Sequence, residues 1–158
     1  MLTPAQLKDL AVFGGLAEAD LTLIRELLEE RVYEPGASVV EEGAPGRDLF
    51  VIEEGEAEIL KRAAAGGEVR IAQLGPGACF GEMALVGIMR RAASVRAGSQ
   101  LRTLSLSYPR VAELAREHPQ TFTMLIMNLA RELCRRLQQA DAVLGEFGIS
   151  CSPSSTGT

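Results

Sequence analysis

Imidazole is scarce in this chain. Of 158 residues one is histidine, His118, none is tryptophan, two are tyrosine and five phenylalanine. A metal-dependent β-roll enzyme needs a cluster of histidines, and a haem sensor needs an axial one placed in a pocket. A lone histidine just before Pro119 reads instead as a residue at a junction between two helices. The three cysteines, Cys79, Cys134 and Cys151, are odd in number, far apart and without CxxC spacing. That usage argues against a disulfide framework or a metal site and points to reduced thiols in a cytoplasmic setting. No paired-carboxylate, Ser/His or Cys/His arrangement is visible, so no catalysis is expected. Positive charge is in deficit, 16 Lys and Arg against 21 Asp and Glu for a net charge of −5, which disfavours the broad basic face of a nucleic-acid binder. No run approaches the ~20 apolar residues of a membrane helix, and the first residues lack a basic leader before an apolar core.

Apolar residues make up 47% of the chain, enough for one core, and their period changes along it. Thr3 and Pro4 are a helix start, hydroxyl at the cap and proline in the first turn. A second helical pattern runs from about Ala19, with Leu21, Ile24, Leu27 and Leu28 on one face. From about residue 31 to 107 the chain breaks into short β-like runs between turn residues, clearest at 49–52, 59–60, 69–71 and 101–106. Many short strands with regular turns predict a sandwich or barrel-like roll. The helical period returns at Tyr108 for a short helix ending near His118, and Pro119 opens a longer one to about Phe147. In that last helix Ile126, Ala130, Leu133, Leu137, Ala140, Leu144 and Phe147 recur every four and three residues. This heptad seam predicts either a homodimer or packing on the chain's own roll. A small polar tail, 148–158, is expected to be disordered.

The chemistry concentrates in residues 80–95, FGEMALVGIMRRAASV. Gly81 lets a backbone approach a ligand closely, and residues 82–85 can form one helical turn whose free N–H groups suit an anion. Arg91 is expected to open a strand, beside Ala92 and Ala93, whose small side chains leave room for a ligand and for backbone donors. A guanidinium suits bidentate binding of phosphate oxygens. Glu82 would repel a bare phosphate, yet it suits a sugar hydroxyl on the same ligand. Together these groups fit a ribose cyclic phosphate.

This stretch resembles the phosphate-binding cassette of the cyclic nucleotide-binding domain family, in which FGE(L/M)AL is followed by R-x-A-(S/T)-V. Further landmarks agree: Phe13-Gly14-Gly15-Leu16, Tyr33-Glu34-Pro35-Gly36, Glu42-Gly43, Leu49-Phe50-Val51-Ile52 before Gly55, and Leu74-Gly75-Pro76-Gly77. The resemblance covers about residues 10–144. It implies an antiparallel β-roll, mainly β with flanking helices, as a single domain over 1–147: N-terminal helices, a short cassette helix and a long C-terminal helix. It implies no catalysis, no cofactor, and signalling to an unidentified downstream protein by movement of that last helix, with Leu85 and Val86 as coupling residues.

Carried across, Glu82 binds the ribose 2′-hydroxyl and Arg91 the exocyclic phosphate oxygens. Gly81, Met83, Ala84 and Ala93 contribute backbone contacts, and Ser94 stands near the base or phosphate. Members selective for cyclic GMP carry a hydroxyl after the arginine. Ala92 has none, which favours cyclic AMP over cyclic GMP. Asn128, Arg135 and Gln138 are candidates to cap the base, whereas Arg131, Arg135 and Arg136 read chiefly as a solvated helix face. Two departures are Arg90, where the family often has proline, and Gly87, one place earlier than in the kinase pattern. Arg91 is preferred to Arg90 because the RAASV element sets the register. DNA-binding relatives add a helix-turn-helix after the last helix. The polar tail here leads to the expectation of either a stand-alone receptor or a fragment of a longer chain, with no direct DNA binding by this chain. The alternative is a degenerate roll used as a ligand-independent interaction module.

Overall fold

The computed structural model describes residues 2–87 and 90–149, so most of the expected polar tail lies outside the described residues. Its strands are β1 (Glu29–Tyr33), β2 (Ser38–Val40), β3 (Asp48–Glu54), β4 (Ala57–Arg62), β5 (Glu68–Leu74), β6 (Cys79–Phe80), β7 (Ser94–Ala97) and β8 (Leu101–Ser107). They form two four-stranded antiparallel sheets, in the orders β1-β8-β3-β6 and β2-β7-β4-β5. The strands thus span residues 29–107.

The continuous apolar run in β3 has a two-sided explanation. Successive side chains on a strand point to opposite faces, and both faces of this strand are covered. Leu49 and Val51 join Leu104, Leu106 and Cys79 in a core shared with the helices. Phe50 and Ile52 face the interior of the roll with Phe80, Val95 and Leu101. By contrast β5 is an edge strand exposed along nearly its whole length, Val69 and Ile71 included. Gly55, which ends the β3 run, has φ +85°, and a side chain there would overlap the backbone carbonyl of Gln100.

Helices α1 (Pro4–Leu7), α2 (Glu18–Leu27), α3 (Tyr108–Glu117) and α4 (Pro119–Glu146) pack on the first sheet's outer core. Thr3 caps α1 through a reciprocal pair with Gln6. His118 is the junction residue between α3 and α4, its N–H donating to Leu114.

Two polar contacts anchor α4. Thr121 donates to Asp20 Oδ1 at 2.7 Å, and the Asn128 amide donates to the carbonyls of Val12 (3.1 Å) and Gly14 (2.8 Å). The buried residues of α4 are Thr121, Leu125, Asn128 and Leu129, a face adjacent to the heptad seam rather than the seam itself. Of the seam, Ile126 packs partly against the core, while Leu133, Leu137 and Phe147 are exposed. Replacing Asn128 by alanine leaves the buried Val12 carbonyl and the partly buried Gly14 carbonyl without their donor. The expected loss is about 2 kcal/mol of stability in urea unfolding, and an unchanged midpoint contradicts this anchoring role.

Candidate ligand-binding site

Strand β6 is only two residues long, and after it the backbone leaves the sheet at Gly81 (φ +77°). A side chain at that position would come within 2.5 Å of the Asp48 backbone carbonyl and 2.6 Å of Arg91 Nη1, so this positive-φ position favours glycine. A 3₁₀ turn over Glu82–Val86 follows. The second half of the motif returns through an isolated bridge between Arg90 and Pro45 before β7 begins at Ser94. Arg91 therefore stands three residues before the strand rather than opening it. Its backbone is pinned on both sides: Arg91 N–H donates to Ala44 O at 2.9 Å, and Gly43 N–H donates to Arg91 O at 2.8 Å.

The Arg91 side chain is half-buried. Nη1 donates to Asp48 O at 2.9 Å and, more weakly, to Gly81 O at 3.5 Å. The guanidinium carbon lies 5.7 Å from the Phe50 ring centre, and Phe50 stacks on Phe80 at 4.9 Å. Gly46 lies against the same guanidinium so closely that any β-carbon there would overlap it. Burial pulls the pKa of Arg91 below its ordinary value, opposed by the negative charges of Asp48 and Glu82. A guanidinium titrates so high that it stays charged even so. Among the described residues, Nε and Nη2 take no acceptor, so the fork that suits an oxyanion is uncommitted.

Arg91 borders a cavity of about 240 Å³. Gly81, Glu82, Met83, Arg91, Ala92 and Ala93, all expected from the sequence, line it together. Val40, Ile59, Ala72, Leu74, Phe80 and Val95 supply an apolar wall. No described residue pairs with the Glu82 carboxylate, and no described acceptor takes the N–H of Ala92 or Ala93. One cation, one free carboxylate, two free amides and an apolar wall thus share one space. That set can hold a ligand carrying an anion, a hydroxyl donor and a flat apolar body.

A family model for the cyclic nucleotide-binding domain matches residues 30–118, more than half of the chain. The chain belongs to the cyclic nucleotide-binding domain family. It is 32% identical over 138 residues to the cyclic AMP receptor protein of Thermus thermophilus, covering 87% of this chain and 62% of that one. It is also 36% identical to glutaminase 2 of Bradyrhizobium diazoefficiens over 84% of this chain, but only 20% of the relative. The chain thus spans less than two thirds of either relative. The solved structure of Thermus thermophilus catabolite activator protein superposes with TM-score 0.74 at 31% identity, over 87% of this chain and 63% of that one. The antiparallel roll with a long C-terminal helix is the family fold.

Several residues of this family member stand elsewhere than the sequence suggested. Ser94 is buried and does not line the cavity; its Oγ accepts the backbone N–H of Glu42 at 2.9 Å. Ala84 belongs to the 3₁₀ turn by its backbone, but its side chain lies outside the described residues, as do Ile88 and Met89 of the connecting loop. Leu85 packs against the helical core, whereas Val86 is 71% exposed.

Asn128 is committed to the α4 anchor, Arg135 pairs with Glu132 at 2.7 Å on the exposed side, and Gln138 is exposed. None of the three lines the cavity. Arg136, read as solvated, does line it. Its Nε donates to Glu132 Oε1 at 3.1 Å, and its Nη2 to the carbonyl of Cys79, two residues before Gly81. The signal for it is helical: Leu125, Leu129, Glu132 and Arg136 follow at 4, 3 and 4 residues and so share a face. Among the described residues no His/Cys/Asp/Glu cluster fit for a metal ion occurs, and no helix is long and apolar enough to cross a membrane.

Cys79 lies beside Arg136 (Sγ to Nη2, 3.8 Å), and burial pushes its thiol up to about 12 against the opposing cation. Near pH 8 only roughly one such thiol in 10⁴ is ionised. Iodoacetamide on the native chain is therefore expected to label exposed Cys134 and to reach Cys79 only in denaturant, read by peptide mass. Comparable native labelling of both contradicts the closed packing of β6 under α4.

Proposed function

We propose that this chain is a non-catalytic cyclic nucleotide receptor whose ligand is cyclic AMP. One observation carries the reading: Arg91, whose Nε and Nη2 have no acceptor among the described residues, lines the same cavity as Glu82, whose carboxylate has no described partner, and as Ala92 and Ala93, whose amides have no described acceptor. The cyclic phosphate takes the Arg91 guanidinium and the amides, and Glu82 accepts from the ribose 2′-hydroxyl. The base lies on the apolar wall of Ile59, Leu74 and Val95. Ala92 offers no hydroxyl to a guanine amino group, which favours adenine. The relative from Thermus, named a cyclic AMP receptor, supports the same choice.

The proposed output is α4. Arg136 ties this helix to the Cys79 carbonyl at the entrance to the cassette, and Leu85 of the 3₁₀ turn packs on the core that α4 completes. A ligand that tightens the turn changes both contacts, and it shifts α4 only by its differential affinity for the two arrangements. The exposed Leu133, Leu137 and Phe147 suit a homodimer seam or a downstream protein that reads the helix.

Isothermal titration with cyclic AMP, cyclic GMP and cyclic di-GMP side by side tests the reading. The expected result is saturable binding of one cyclic AMP per chain, tighter than either of the others. Silence with all three, from folded protein free of copurified nucleotide, overturns it in favour of a ligand-independent module. Glu82→Ala should weaken cyclic AMP and level its advantage over the 2′-deoxy analogue, by roughly tenfold for one lost hydrogen bond to a charged group. Equal binding of the two analogues by the native chain contradicts the role of Glu82. Ala92→Thr should raise cyclic GMP relative to cyclic AMP, and an unchanged ratio removes that part of the argument.

A further inference from the structure

The backbone donors beside Arg91 are fixed by residues outside the motif itself. Glu42 lies in the loop after β2, and Lys61 is on β4. Lys61 Nζ donates to the carbonyl of Ala92 and pairs with Glu42 Oε1 at 3.0 Å. Glu42 is tied down in turn: its Oε2 accepts the Arg62 N–H at 2.9 Å, and its own N–H donates to Ser94 Oγ at 2.9 Å. Its side chain is 17% exposed against 47% for Lys61, so the carboxylate is the fixed member and the lysine the arm it steers. The Arg62 amide and Lys61 together hold the Glu42 carboxyl below the usual carboxylate range, which keeps the pair charged.

An exposed ion pair of this kind contributes little to stability. Its geometric effect is larger. Arg91 is already fixed by the loop through backbone bonds to Gly43 and Ala44, and Ser94 by Glu42. Ala92 lies between them, held through Lys61. A trans peptide is planar with its C=O and N–H opposed. Fixing the Ala92 carbonyl on the Lys61 side therefore aims the Ala93 N–H the other way, and this is one of the two amides with no acceptor among the described residues. We propose that Lys61, steered by Glu42, is a positioning residue that presets the Ala92–Ala93 peptide as a donor to the ligand's phosphate. This rests on the cyclic nucleotide reading of the cavity.

The test uses the full chain and the variants Lys61→Met, Lys61→Arg and Glu42→Gln. In the ligand-free proteins, ¹⁵N relaxation gives order parameters for the Ala92 and Ala93 amides. Lys61→Met should lower them from about 0.85 towards 0.6 or below, with Lys61→Arg restoring them. Titration then uses the two phosphorothioate diastereomers of cyclic AMP, each with a different exocyclic oxygen replaced by sulfur. Lys61→Met and Glu42→Gln should change the affinity ratio of the diastereomers by about threefold or more at an unchanged melting temperature, because one oxygen loses its preset donor. Unchanged order parameters, or an equal loss for both diastereomers, overturn the proposal while leaving the receptor reading intact. If the native chain binds no cyclic nucleotide, the receptor reading falls and the phosphate role of Lys61 with it. The order parameters alone still decide whether Lys61 holds the peptide.

Discussion

Putting a guanidinium partly out of water is unfavourable unless its donors find acceptors, and the seat of Arg91 is built around that constraint. Two of its hydrogens go to the carbonyls of Asp48 and Gly81, and the flat face lies near the Phe50 ring. Neither carbonyl would be within reach if Gly46 or Gly81 carried a side chain. The chain around the site follows from this seat: the two-residue strand β6, the exit at Gly81, and the double backbone clasp of Arg91 by Gly43 and Ala44. The two carbonyls satisfy one edge of the guanidinium, and the other takes no acceptor among the described residues.

Around that seat the roll divides its labour between two faces of one sheet. Leu49, Val51, Leu104 and Leu106 bind the helices, while Phe50, Ile52 and Phe80 fill the roll beneath the cavity. A change at the cassette is therefore separated from α4 by a single strand thickness. Arg136 crosses that distance directly, bordering the cavity while holding the Cys79 carbonyl. Asn128 and Thr121, nearer the start of α4, fasten the helix to α2 and the loop before it. These two anchors thus lie in the first half of α4, while exposed apolar residues run along the helix from Met124 and Met127 to Leu133, Leu137 and Val143.

What the sequence revealed was whatever is local. Gly81, Glu82, Met83, Arg91, Ala92 and Ala93 could be brought together from the motif because they lie within thirteen residues. The helix bounds near Tyr108, Pro119 and Phe147 follow from changes of period and from proline placement. What stayed hidden depends on partners distant along the chain. Ser94 is committed to Glu42, 52 residues earlier, and no pattern within RAASV reports that. Gly46 reads as a turn glycine, although its missing side chain is what admits Arg91. Arg136 was read with its neighbours as solvated, because three arginines in six residues look alike until helical register is set by Leu125 and Leu129. The period-2 run of β5 is equally uninformative about exposure, since alternation does not distinguish an edge strand from a covered one.

The central claim is that Arg91 is the anchor for a cyclic phosphate. The most direct measurement is the affinity of Arg91→Ala for cyclic AMP against that of the native chain, with folding confirmed by circular dichroism. Removing one side of a partly buried charge pair costs about 2–5 kcal/mol, so the account predicts a loss of at least roughly thirtyfold. An affinity unchanged in the folded variant would contradict it.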